Sequence, residues 1–364
     1  MGKFENGVLG MIPATDWLDL SNNIDVSRPN DPVDSIWGDM KTDNIMAEWE
    51  TIKSQYLLPT MAYFHGFDTE AHTAIRMPIE THNIEKGLIK EKINQSERLR
   101  ALWNSGEQRE SKLYEYTVND ALHRADAIIT RSKVAKYEIM ATGKMTIKEN
   151  NLDLSIDYGV PTDQLNLTLD LGNGASKDVL SQIQDIIDQA SDLGVVINGV
   201  MTTNKVVTKM RNNAGLQKAV NGNIGEGVQL RRSALEAYLL DEYGISRVIT
   251  ADLRYNVAKG IDANGNPILE AHRYFPEDKI TFFATAVGGQ MGIGLWGNPP
   301  EADRTDLEPA NASDRSPYVW ISQKAEWDPK VVWTKASALY IPMLYSPNSL
   351  FAATVTETPG APGA

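Results

Sequence analysis

Residues 110–142 read ESKLYEYTVNDALHRADAIITRSKVAKYEIMAT, Gly143 follows, and residues 144–158 continue as KMTIKENNLDLSIDY. In the first part Tyr114, Val118, Ala121, Leu122, Ala125, Ile128 and Ile129 recur at steps of three and four, which places them on one face of a helix. No proline or glycine interrupts 109–142. At ~1.5 Å rise per residue that predicts a rod on the order of 50 Å, where an ordinary globular helix has about 10–14 residues. Gly143 supplies the positive φ that ends a helix, and β-formers follow at once. A rod of this length feeding directly into a sheet requires a large, flat or extended body.

On the N-terminal side, residues 1–58 scatter Trp17, Leu18, Trp37, Met46 and Trp49 among Asn, Asp and Pro, and only 43–56 has a helical look. Such a segment closes no core of its own and is expected to lie across another surface as an arm. From 72 to 95 the chain reads as two strands around a turn at 82–87. Ile75, Met77 and Ile79 alternate with Arg76, Pro78 and Glu80, and Ile89 and Ile93 stand among Lys90, Glu91 and Lys92. An isolated two-stranded hairpin is marginal in water. Its mixed charges, Arg76, Glu80, Glu85, Lys86, Lys90, Glu91 and Lys92, suit salt contacts with an adjacent subunit. The competing reading is an ordinary surface hairpin on its own domain.

On the C-terminal side, 163–171 alternates as a half-buried strand, and Ser176 is placed to cap a helix through about Asp192, with Gly194 past its end. A strand at 195–201, a helix from Thr203, a Gly/Asn-rich loop at 212–227, a helix at 231–242 and a strand at 247–255 follow. Mixed helices and strands over 175–300 read as one α/β unit. Residues 262–267 form a turn, 279–285 a buried strand, 297–317 a long polar loop, 318–321 and 330–344 strands, and 356–364 a disordered tail.

Composition narrows the function. The chain has 364 residues, a formal charge of −13 and no cysteine. Disulfides, thiolate nucleophiles and cysteine-based metal sites are thereby excluded. The acidic balance argues against a dedicated nucleic-acid reader, which needs clustered Lys and Arg, yet it is compatible with a container that must release its contents. No run of about 18 apolar residues and no apolar leader core are present, so the expectation is a cytosolic protein with no membrane partner.

Local chemistry is sparse. The five histidines, His65, His72, His82, His123 and His272, are dispersed, and none forms the pair of a metalloprotease helix. Residues 292–297, Gly-Ile-Gly-Leu-Trp-Gly, match the dinucleotide fingerprint in letters, but Asn298-Pro299-Pro300 blocks the helix whose N-terminus would hold a pyrophosphate; a loop or bulge is expected there. The segment from Asp262 begins like a calcium loop, but Pro267 replaces the required glycine and Arg273 the bidentate glutamate. No Gly-x-Ser-x-Gly nucleophile signature occurs. No cofactor, no metal and no catalytic residue are expected.

The segment from Tyr137 to Ile147 with Leu152 to Gly159 resembles the end of the spine helix and the first P-domain strands of lambda-type major capsid proteins of tailed phages. The charged hairpin before the helix, the segment Tyr274-Phe-Pro-Glu-Asp-Lys-Ile-Thr-Phe-Phe-Ala284 and the close Ser337–Leu350 agree in order, so the resemblance spans roughly 60–355. It implies an α+β Hong Kong 97-like capsid fold: an N-terminal arm (1–58), an extended hairpin loop (59–100), a P-domain of spine helix and sheet (101–174), an A-domain (175–315) and return strands (316–355). It also implies self-assembly into hexamers and pentamers of an icosahedral head around double-stranded DNA, put together in the host cytoplasm, with arm and hairpin over neighbours. A separate scaffolding protein or maturation protease, a portal and a decoration protein would be its partners. Relatives in the wider fold form a Lys–Asn crosslink for which Lys86, Lys90 and Lys92 are the candidate lysines; no crosslink is expected here. Two competitors remain, an encapsulin-like compartment and a cytosolic α/β nucleotide-binding enzyme using the glycine segment.

Overall fold

The computed structural model describes residues 12, 14–28, 30–52, 61, 79–95, 109–149, 152–172, 175–222, 228–262, 266–285, 288–302, 317–328 and 330–358. In chain order these form α1 (Ala14–Asn22), β1 (Trp37–Lys41), β2 (Met46–Ile52), β3 (Ile79–Glu85), β4 (Gly87–Gln95), α2 (Arg109–Thr142), β5 (Lys144–Glu149) and β6 (Leu152–Asp157). There follow α3 (Thr162–Leu165), β7 (Leu167–Asp170), α4 (Val179–Asp192), β8 (Gly199–Thr202), α5 (Asn204–Asn212), α6 (Ala214–Asn221), α7 (Arg232–Tyr243) and β9 (Arg247–Thr250). The last strands are β10 (Arg254–Ile261), β11 (Pro267–Arg273), β12 (Lys279–Phe283), β13 (Gly292–Gly297), β14 (Trp320–Trp327), β15 (Lys330–Leu344) and β16 (Leu350–Thr356).

The helix α2 has 34 residues. Its face packs on β15 and β4 through Ala121, Ala125, Ile128 and Ile129, all buried, and from Ser132 to Ala141 nearly every side chain is covered. Leu122, expected on that face, is exposed instead; the covering sheet reaches only the stripe through Ala121 and Ala125. Gly143 ends the helix at φ +69°, its N–H donating to Ile139 O at 2.8 Å. Lys279 Nζ donates to Ala141 O (2.9 Å) and Thr281 Oγ1 to Met140 O (2.8 Å), so β12 satisfies carbonyls that the helix end leaves open.

Two five-stranded sheets flank this rod. In the first, residues 332–337 of β15 pair with both β14 and β4, and 339–340 with both β13 and β4. Strand β4 therefore runs along one edge of β15, with β14 and β13 in tandem along the other, and β1 adds parallel to β13. The second sheet has the order β7-β16-β12-β8-β9, covered by α4, α5, α6 and α7 around Ile183, Ile186, Val206, Met210, Leu235, Phe282 and Phe351. Three two-stranded ribbons stand apart: β2–β3, β5–β6 and β10–β11.

Several local expectations are corrected. Within the stretch expected to be helical, 43–56, the described residues 46–52 are instead strand β2, paired antiparallel with β3. The 163–171 strand starts only at Leu167, after the short helix α3. Helix α4 begins after Asp178, not at a Ser176 cap, because the chain at Asp178 is still extended. The polar stretch 212–227 holds helix α6, which Asn213 caps by accepting from Leu216 N at 3.1 Å. The expected strand 247–255 is two strands, β9 and β10, in different sheets. In the expected tail, Thr358 donates its N–H to Asp170 Oδ1 at 2.9 Å, so that contact fixes the chain through 358.

Candidate assembly interface

Strands β3 and β4 do not pair with each other, which corrects the hairpin. Ile79–Glu85 pairs with β2, whereas Gly87–Gln95 pairs with β15. The fifteen residues of β15 offer β4 a nine-residue ladder and place Ile89 and Ile93 against the core, a burial that a free hairpin could not give. Lys86 is the hinge between the two pairings. It is 2% exposed, and its ammonium donates to Asn44 O (2.5 Å), Thr42 O (3.2 Å), Trp296 O (3.3 Å) and Thr42 Oγ1. Burial holds its pKa below that of an ordinary lysine. Lys86 is therefore a structural cation inside its own chain, not an intersubunit contact.

The other predicted contact residues divide by the pleat of β4. Glu91 faces inward and pairs with Arg124 at 2.6 Å. Lys90 and Lys92 are exposed, Lys90 lying 3.7 Å from Glu301 and Lys92 4.3 Å over the Trp333 ring. Glu85 is exposed opposite Met46, and among the described residues it has no ion-pair partner. The backbone of Glu80 pairs with Thr51, while Arg76 lies outside the described residues. The foot of the ribbon also presents Ile45 and Met46, exposed at 53% and 37%.

The N-terminal segment differs most from expectation. Trp17, Val26, Val33, Ile36 and Trp37 are buried in the same core as α2, and β1 is a strand of the first sheet. A polar latch completes the joint. Lys133 meets Asp34 at 2.5 Å and Asp39 at 3.8 Å, and Lys136 meets Asp39 at 2.9 Å and Asp34 at 3.5 Å. Both lysine side chains are 0% exposed and both aspartates 8%, so the charges have only one another and nearby dipoles for compensation. Burial, then the charge of Lys136, pulls the Lys133 pKa down. Tyr137 donates to Asp31 Oδ1 at 2.6 Å, and burial followed by the Asp31 charge pushes its phenol far up. Trp296 Nε1 donates to Asp39 at 2.8 Å, and Arg28 pairs with Asp126 and bonds Thr130 at 3.2 Å. Residues 14–41 thus belong to their own subunit's wall, which corrects the arm over a neighbour for that stretch. The sequence did hold a signal: Lys133 and Lys136 fall on the stripe Ile129–Lys133–Lys136–Met140, where an apolar pair is expected.

The glycine segment is neither loop nor bulge but strand β13, between β1 and β15. A Cβ on Gly292 would lie 2.2 Å from Met343 O, and one on Gly294 2.3 Å from Asp39 Oδ1. The glycines permit close sheet packing over the latch, and no helix starts there to face a phosphate. At the calcium-like stretch, Asp262 closes a turn by accepting from Asn266 N at 2.7 Å. His65 and His72 lie outside the described residues. Among the described residues, no three acidic or histidine side chains gather as a metal group, and no helix is long and apolar enough to cross a membrane.

The chain is similar in fold to a phage-related protein from Bordetella bronchiseptica RB50, at 9% identity over 94% of this chain and 96% of that one, with a TM-score of 0.51. Weaker likenesses include a candidate capsid protein from a prophage of E. coli CFT073 (14% identity, 76% and 80% covered, TM-score 0.48) and a protein of Mycobacterium phage Adephagia (11%, 92% and 92%, 0.47). No curated protein matches the sequence. The family profile described as phage major capsid protein E matches residues 89–355, from within β4 through α2 and every later element into β16, leaving β1 of the first sheet outside. That match spans well over half of the chain, and the chain belongs to the phage major capsid protein E family.

Proposed function

We propose that this chain is the head protein of a tailed double-stranded DNA phage, closing as hexamers and pentamers into an icosahedral shell in the bacterial cytoplasm. The single observation that carries the reading is the family match over 89–355. Within the subunit, α2 and the first sheet are the wall. The second sheet with its four helices is the capsomer-facing unit. The β2–β3 ribbon is the loop that lies over a neighbour, with Glu85, Lys90 and Lys92 at its foot as contact residues. The domain limits drawn from the sequence then shift: 14–41 and 86–95 belong to the wall, and the base of the loop is the ribbon of 46–52 with 79–85. A scaffolding protein or maturation protease, a portal and a decoration protein act as separate chains. The acidic wall encloses DNA without reading it.

The test is negative-stain electron microscopy with size-exclusion chromatography of the purified protein, alone and with a co-expressed scaffold. Closed shells that protect DNA from nuclease support a genome container. Shells filled with an enzyme in place of DNA would make it a cargo compartment, and a uniform small particle in every condition would overturn the reading. Removing the whole segment expected to be a hairpin would not test the loop, because 87–95 is a strand paired with β15. Since Ile52 and Ile79 already face each other across the ribbon, replacing 53–78 by a short Gly-Ser turn tests the loop. A folded subunit that makes no shells is expected, and normal shells would sink the loop's role.

A further inference from the structure

The ribbon β10–β11 has a face that nothing among the described residues covers. From the register, Tyr255, Val257, Gly260, Ile268, Glu270 and His272 share one side; Arg254, Asn256, Ala258, Ile261, Pro267, Leu269, Ala271 and Arg273 share the other. A bulge between Ala258 and Gly260 makes the second set continuous, turning Ile261 onto the side of Leu269. The first side is used: at the foot Tyr255 stacks on His272 (5.7 Å) and Tyr274 (5.0 Å), Tyr274 meets Tyr137 of α2 at 5.4 Å, and Lys259 pairs with Glu270 at 3.2 Å. The second side is bare. Beyond Arg273, which pairs with Asp252 and Glu277 at the foot, all its residues are exposed, Ile261 at 72% and Leu269 at 54%. A ribbon anchored by stacked aromatics at its base, yet aliphatic and unsupported at its end, is costly to leave in water.

We infer that this face is an intersubunit contact, covered by a second copy of the same chain in the assembled shell. The inference rests on the capsid reading, which surrounds each subunit with identical copies. Charge agrees. Arg254, exposed at the foot of the same side and without an ion-pair partner among the described residues, offers a cation to a carboxylate of the neighbouring copy. Size sets the role: a stable interface buries about 800 Å² per partner, more than one side of this ribbon supplies. The face is one contact among several and holds subunits only within a shell, so the free subunit does not pair through it.

The absence of cysteine makes the test direct, because Leu269→Cys places the only thiol on the face. Maleimide labelling is timed on the free Leu269→Cys subunit and on purified shells of it. Rapid labelling of the subunit and about tenfold or slower labelling in the shell are expected. Equal rates in both would overturn the inference while the shells themselves uphold the capsid reading. Slow labelling already in the free subunit would also overturn it, since a segment of the same chain would then be the cover. A wild-type chain that never forms shells would overturn both. As a second readout, Ile261→Asp with Leu269→Lys leaves the subunit's unfolding transition in place and lowers shell yield about tenfold or more.

Discussion

Two segments lean on the long helix and differ in what they do with their surface. The N-terminal stretch from Arg28 to Asp39 is bound to α2 by Asp126, Lys133, Lys136 and Tyr137, with the pairs of Asp34 and Asp39 to Lys133 and Lys136 out of water. The β10–β11 ribbon meets α2 through the Tyr255–Tyr274 foot and leaves its aliphatic side exposed. From the sequence both are polar stretches with scattered large apolar residues. The difference teaches that an arm belongs to its own subunit when its polar groups find buried partners there, and awaits a neighbour when its apolar groups do not.

The most severe way to break the comparison is to unpair the latch. Asp34→Ala leaves two buried ammonium groups with one carboxylate and should cost about 3–5 kcal/mol in urea unfolding of the free subunit. The pair Asp34→Leu with Lys133→Met should recover most of that. A loss under about 1 kcal/mol, the range of surface ion pairs, would mean that the cluster is solvated and the arm only loosely held. Next comes the sheet under the latch. Gly292→Ala drives a methyl toward the Met343 carbonyl, a backbone atom that cannot swing away, and should cost about 1–3 kcal/mol.

A pH profile sharpens the edge of the same region. Burial brings the Lys41 pKa down to about 8, its ammonium donating to Pro317 O. In the unfolded chain it titrates near 10.5. Between those values the unfolded state binds more protons, so stability should rise as pH increases from about 8 toward 10.5. After discount for partial exposure the gain is about 1–2 kcal/mol. Lys41→Met should flatten that rise and raise stability at pH 7; an unchanged slope would show that Lys41 is not its source. Arg124→Ala removes a half-exposed pair with Glu91 and should cost under about 1 kcal/mol. Smallest of all, Ile261→Asp with Leu269→Lys should change free-subunit stability by no more than about 0.5 kcal/mol. A large loss there would mean that the ribbon packs on its own chain, and the contrast with the N-terminal latch would disappear.

The legible parts share a physical cause. Helix α2, its end at Gly143, the β5 and β6 strands, helices α5 and α7 and the buried β12 are specified by local pattern, because period, cap and breaker lie within a few residues of one another. What misled were strands whose partner is far away in sequence. His82 to Gly87 has the composition of a turn, yet His82 to Glu85 pairs with β2 and the chain from Gly87 onward with β15, some 250 residues later, while Lys86 satisfies its ammonium on carbonyls of the β1–β2 connection and β13. The glycines at 292–297 signalled close approach but not what approaches. Of the predicted contact residues, only the exposed ones can still serve a neighbour, and Lys86 was drawn in because charge alone does not reveal burial.

By itself the sequence determined the rod, the sheet that follows it, the absence of thiol chemistry and the order of elements that resembles a capsid subunit, since these depend on residue type and local spacing. Only the tertiary structure decided which strand joins which edge, that Lys133 and Lys136 are buried against Asp34 and Asp39, and which ribbon face is left bare. Pairing and burial are sums over residues hundreds of positions apart, and no local pattern contains them.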